Sequence, residues 1–277
     1  MIRIGVRAHD FGRLPPDELA KRIADKGLCC VQLALTKAIA GLENLAYGDL
    51  NPGLAWHVGR AFERAGVQIA VLGCYVNPIH PSPQTRRELL AFFKQHLRYA
   101  RDFGCGIVAL ETGSVNADYS PHPDNHSERA MDHLLTSIGM LVSEAEKFGV
   151  IVGIEGVASH VVSTPGKMRH VLDTIKSNNL QVVLDPVNLV SIDNWPMQTK
   201  ILEEAIELYG DRVAIIHAKD FQVEEKSLKQ VRTGTGQFDY KPLMKWINQR
   251  KPGISILLEE TTEDTVDECI KYINNPE

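Results

Sequence analysis

The chain has 277 residues, 44% of them hydrophobic and 23% charged, and carries a net charge of −5 at neutral pH. This is ordinary globular composition at a length that suits one α/β barrel of about 250 residues, and the acidic balance argues against a binder of nucleic-acid phosphates, which needs a basic excess. Five cysteines without a CxxC pair read as reduced thiols, the start MIRIGVRAHD is too short and charged for a signal peptide, and no apolar stretch approaches the ~18 residues of a membrane span.

Short apolar runs alternate with longer amphipathic stretches throughout. IRIGV (2–6) opens the chain, and PPDELAKRIADKG (15–27) follows with proline at its start and glycine at its stop, a helix signature. CCVQLAL (29–35) and VQIAVLG (67–73) are the second and third predicted strands, each followed by a helical stretch, 51–66 and 82–104. GIVALE (106–111) precedes a helix over 126–149, VIVGIE (150–155) one over 164–177, and LQVVLD (180–185) one over 197–210. RVAIIH (212–217) and ISILLEE (254–260) are the last strands, paired with helices over 238–251 and 265–275. Eight strand–helix pairs imply a parallel sheet with right-handed crossovers. At this length they predict an α/β fold, a closed (β/α)₈ TIM barrel forming a single domain over 1–277. The long connections, such as 36–50, 112–125 and 218–237, follow strands rather than helices. They belong to the rim on which barrel enzymes build their pockets.

Four late strands end in metal-competent residues: Glu155, Asp185, His217 and Glu259. Alternation along a strand puts Glu155 in phase with Gly153, Asp185 with Val183, His217 with Ile215, and Glu259 with Leu257, so all four can point inward together. Three carboxylates converging on one point repel unless a cation or shared protons hold them. With one imidazole added, the set suits a single divalent ion: Mn²⁺, Mg²⁺, Co²⁺ or Zn²⁺.

IEG at 154–156, LDPVN at 184–188, IHAKD at 216–220, GTGQFDY at 234–240 and LLEE at 257–260 together resemble the xylose isomerase-like superfamily of sugar isomerases and epimerases. The likeness is strongest in the C-terminal half and includes the tagatose and psicose 3-epimerase branch. It implies that Glu155, Asp185, His217 and Glu259 hold one metal, and that Glu155 and Glu259 are also the catalytic acid/base pair. The implied activity is isomerisation or epimerisation of a sugar or sugar phosphate through an enediolate, with an inosose dehydratase or hydroxypyruvate isomerase as the alternative.

Residues expected to contact substrate are Asn188, where relatives carry a histidine, together with Lys219, His160, Arg232 and His9. His160 departs from the acidic residue that epimerases place in its loop. A three-zinc nuclease of the endonuclease IV type would need a histidine at 188 and another after His217, and neither is present. The retained glutamate pair argues against a non-catalytic sugar-binding barrel. The expected partner is a small sugar, with no nucleic acid and no membrane, in a cytoplasmic protein whose relatives are commonly homo-oligomers.

Overall fold

The apolar runs hydrogen-bond side by side, and the sheet they form closes on itself. The structure, a computed structural model, describes residues 2–276, so the first and last residues of the expected 1–277 barrel lie outside it. Strands β1 (Arg3–Arg7), β2 (Cys30–Leu33), β3 (Gln68–Gly73), β4 (Ile107–Glu111), β5 (Ile151–Glu155), β6 (Leu180–Leu184) and β7 (Val213–Ala218) are followed by a hairpin of β8 (Asp220–Val223) and β9 (Leu228–Val231), and then by β10 (Ser255–Leu258). The barrel runs β1-β10-β7-β6-β5-β4-β3-β2 with every neighbouring pair parallel, and β8 and β9 make a separate antiparallel sheet. The predicted TIM barrel is therefore the observed fold.

Helices α1 (Pro16–Asp25), α2 (Leu35–Ala38), α3 (Pro52–Arg64), α4 (Pro83–Tyr99), α5 (Glu128–Phe148), α6 (Pro165–Ile175), α7 (Gln198–Tyr209), α8 (Tyr240–Arg250) and α9 (Val266–Asn274) complete the chain. Each long helix buries one stripe, as α1 does with Leu19, Ala20 and Ile23. The passage from rim loop into helix is set by capping. Asn51, Ser82 and Thr164 each accept a backbone N–H three residues on, and each is followed by proline at the first helical position. Among the described residues no helix is long and apolar enough to cross a membrane.

Inside the barrel a small, dry layer forms a floor. Cys30, Val71, Ala109, Val183, Ile215 and Leu257 pack there as a cluster separate from the core between sheet and helices. Gly153 belongs to this layer because little room is left: a Cβ on it would lie 3.1 Å from Val183 Cγ2 and 3.3 Å from the Ala109 Cβ. Two residues further along the strands the lining turns polar, with Arg7, Gln32, Glu111, Glu155, Asp185, His217 and Glu259 at the mouth. Apolar burial thus sets the strands, and their ends carry the chemistry.

Candidate active site

Glu155 closes β5, Asp185 follows β6 by one residue, His217 lies within β7, and Glu259 follows β10. All four are buried. Ligand atoms from Glu155, Asp185 and His217 lie within 4.8 Å of one another. His217 Nδ1 is 3.3 Å from Glu155 Oε2 and 3.3 Å from Glu259 Oε1. Neither contact has hydrogen-bond alignment, and both imidazole nitrogens are buried without a hydrogen-bond partner. Buried polar atoms left in this state are costly unless something else satisfies them. Carboxylate oxygens and an imidazole nitrogen are the donors a divalent Mn, Mg, Co or Zn ion takes. The donor set fits such an ion.

The remaining valences of the cluster are fixed by neighbours. Asp185 Oδ1 accepts the backbone N–H of Val187 at 2.9 Å and of Asn188 at 3.1 Å. Asn188 in turn donates its side-chain amide to Glu155 Oε1 at 2.7 Å, and its own oxygen accepts from Gln230 at 3.1 Å. The Lys219 ammonium sits 3.0 Å from Asp185 Oδ2 and 3.1 Å from Glu259 Oε2. Arg7 approaches Glu259 Oε2 at 3.4 Å while bonding Asp10 and Glu260. Glu260 holds a left-handed backbone, φ 54°, a conformation costly for a residue with a Cβ.

These fields move the titrations. Burial alone would lower the His217 imidazole, but Glu155 and Glu259 outweigh it and push the group up to about 9. Burial raises Asp185 to about 6 against the pull of Lys219. At Glu259 burial is outweighed by Lys219, His217 and Arg7, which hold the carboxyl well below its ordinary range. Burial likewise opposes charge on Lys219, and Asp185 and Glu259 overcome it, keeping the ammonium protonated. Above the cluster opens a cavity of ≈ 370 Å³ lined by Glu155, Glu259, Asn188 and Lys219, among others.

The family model for the xylose isomerase-like TIM barrel matches residues 20–275. The chain belongs to that family. The Mycoplasma pneumoniae protein described as a probable L-ribulose-5-phosphate 3-epimerase, UlaE, is 27% identical over 175 residues, 63% of this chain and 53% of that protein. The chain thus spans about half the length of the curated relative it matches. Among solved structures, the IOLI protein with a bound zinc atom superposes with a TM-score of 0.76 at 14% identity, covering 99% of this chain and 96% of that one. A D-tagatose 3-epimerase-like protein gives 0.74 at 16%, covering 99% and 98%. D-Psicose 3-epimerase in the presence of D-fructose gives 0.69 at 13%, covering 92% and 84%. At these identities the likeness is one of fold.

Within this xylose isomerase-like barrel, the residues singled out from sequence do not all meet. His9 and His160 line the same cavity as Glu155 and Glu259. Burial pushes both imidazoles down to about 4, with Arg7 and Lys37 adding to the effect at His9. Arg232 is not among the residues lining the cavity. Its guanidinium turns outward to pair with Glu268 on α9, while the next residue, Thr233, buries its hydroxyl on the Ala218 carbonyl. In this arrangement the guanidinium expected to contact substrate is engaged by Glu268, away from the cavity lining.

Several residues of the site went unread in the sequence, Glu111, Tyr75 and Gln230 among them. Glu111 ends the apolar run IVALE just as Glu155 ends its own, and the two are register partners on β4 and β5. Burial and the neighbouring Glu155 push the Glu111 carboxyl up to about 7, and His160 Nδ1 lies 3.5 Å from it. The signal was present, since both runs stop in glutamate. Tyr75, over the third strand, bonds Gln32 of the second. Gln230 comes from β9, inside a stretch whose charged composition hid any strand.

Proposed function

We propose that this protein is a divalent-metal-dependent isomerase or epimerase of a sugar or sugar phosphate. Glu155, Asp185, His217 and Glu259 would hold the metal, and Glu155 and Glu259 would move the protons. The observation that carries the reading is the convergence of Glu155, Asp185 and His217 ligand atoms within 4.8 Å beneath a cavity that both glutamates line. When bound, the metal supplies Lewis acidity toward a ketose carbonyl and its neighbouring hydroxyl.

The chain's own groups do the rest. One glutamate carboxylate takes the proton from the carbon between carbonyl and hydroxyl, leaving an enediolate. The other carboxyl returns a proton to the opposite face, which inverts the centre, or to the adjacent carbon, which exchanges ketose for aldose. Asn188 holds Glu155 Oε1 and fixes the direction in which the other oxygen points. Lys219 and Arg7 keep Glu259 ionised, so that it is ready as a base. Glu111 and His160 line the side of the cavity next to Glu155 and are placed to bind substrate hydroxyls.

Two measurements test this. Elemental analysis of protein reloaded with Mn²⁺ or Zn²⁺ should find one ion per chain, lost in Asp185→Ala; three ions would favour nuclease chemistry, and none would end the metal reading. In deuterated water a ketose should gain solvent deuterium, and Glu155→Gln should lower that exchange by roughly a hundred- to ten-thousand-fold while the barrel stays folded. Near-wild-type exchange in that variant would sink the assignment of Glu155.

A further inference from the structure

Beside the charged chamber lies a second one of ≈ 250 Å³. Val157, Asn188 and Gln230 line both, so the two adjoin across the Asn188–Gln230 hydrogen bond. The second chamber holds no ionisable side chain. Its walls are Val157, Val187, Val190, Phe221 and Leu228, together with Ala158 and the residues Ser159 and Ser191. The hydroxyls of both serines make no hydrogen bond among the described residues. Apolar faces interrupted by free hydroxyls match a sugar ring, which presents C–H patches between its own hydroxyls. They do not match a phosphate dianion, which is held by charge-assisted donors.

The first chamber offers a phosphate little more. Arg7 is engaged by Asp10, Glu259 and Glu260, and Lys219 by Asp185 and Glu259. His9 and His160 are kept neutral by burial. Of the cations lining it, Lys37 alone has no carboxylate partner among the described residues; its ammonium lies 5.0 Å from the centre of the Tyr75 ring.

Resting on the ketose reading above, we propose that the second chamber is a subsite for an uncharged glycosyl substituent, so that the ketose arrives glycosylated and not phosphorylated. The ketose end occupies the charged chamber under Glu155 and Glu259. The substituent passes over Asn188 and Gln230 and lies against Ser159, Ser191 and Leu228.

Three sugars sharing one ketose test this by calorimetry on the metal-loaded protein: D-fructose, D-fructose 6-phosphate, and isomaltulose, which carries glucose on the same oxygen. Isomaltulose should bind at least about tenfold tighter than fructose, with the phosphate no tighter than fructose itself. Leu228→Trp and, independently, Ser191→Phe each put a large side chain into the chamber. Each should erase the isomaltulose advantage and leave fructose binding within about twofold. A phosphate ester that binds tightest, and loses that gain in Lys37→Ala, would overturn the proposal in favour of a phosphate anchor at the rim. Equal binding of isomaltulose and fructose would overturn it too. If fructose exchanges deuterium while isomaltulose gains nothing, only the subsite falls. If no ketose binds or exchanges in folded, metal-loaded protein, the ketose reading falls and takes the subsite with it.

Discussion

Lys219 is a buried ammonium between two buried carboxylates, and charge in such a place is tolerated only when paired. Asp185 and Glu259 converge with Glu155, so the lysine supplies charge compensation that the barrel itself provides. Lys219→Met keeps most of the volume and removes the charge. It should destabilise the metal-free protein by about 3 kcal/mol, the usual scale for breaking a buried pair and stranding its partner. Divalent metal should recover part of that loss, and thermal melts of wild type and variant with and without metal measure both. Equal melting temperatures in all four samples would mean that the lysine is not the counter-charge. Lys219 was readable from sequence as a residue in phase with His217. Its pairing with Asp185 was not, because that contact spans two strands and depends on how far the barrel staggers them.

At the scale of elements, the hairpin of β8 and β9 governs the site from outside the barrel. Asp220 anchors it: Oδ1 accepts the backbone N–H of Phe221 and Phe238, both at 2.8 Å, and Oδ2 those of Gly236 at 3.0 Å and Gly234 at 3.1 Å. A Cβ on Gly236 would stand 2.3 Å from Asp220 Oδ1 and 2.2 Å from the Phe221 carbonyl, which is why the turn needs glycine there. Asp220→Asn turns one oxygen into a donor facing two donors. A loss of about 2–3 kcal/mol is expected, seen as a lower urea midpoint and faster proteolytic nicking between β8 and β9. From the same hairpin Gln230 reaches Asn188, and Asn188 reaches Glu155. Asn188→Ala should lower kcat by about tenfold or more with a smaller change in KM, since on the proposed mechanism it loosens the glutamate that moves the proton. A change confined to KM would instead make Asn188 a plain substrate contact. The sequence read 218–237 as one long loop, and the hairpin was missed because VEEKSLK is short, charged and exposed at its turn. Only the alternation of Leu228 and Gln230 with their neighbours marks a strand there.

For the whole molecule, the rhythm of eight apolar runs was legible because burying both faces of a parallel strand demands continuous apolar sequence, and every run found its place in the barrel. The polar ring was half legible. Its late members stood out because an acid or imidazole closes each of four successive apolar runs and the C-terminal motifs carry the family likeness; Glu111 closes the run just before them and was passed over, while Arg7 and Gln32 are not metal-competent residues and drew no notice. Stability at mild acidity is also a property of the whole fold. His96 on α4 is 2% exposed, and burial pushes its imidazole down to about 4. The unfolded chain takes up this proton near its ordinary value of about 6.5. Between those values unfolding binds a proton, so stability is full above about 6.5 and is lost as pH falls towards 4. The loss from this residue is about 2 kcal/mol by pH 5. Urea unfolding at pH 7 and pH 5 should show it, and His96→Gln should shrink the difference by about 2 kcal/mol, leaving the share that His9 and His160 carry; an unchanged difference would contradict the assignment.

The floor of Cys30, Val71, Ala109, Val183, Ile215 and Leu257 makes the proposed reaction chamber a cul-de-sac. Reactant and product then share a single doorway, and neither can pass through the molecule and out the other side. Each departing molecule must vacate the entrance before the next can use it. Product should accordingly inhibit as a competitor of substrate, because both need the same doorway and the same cavity.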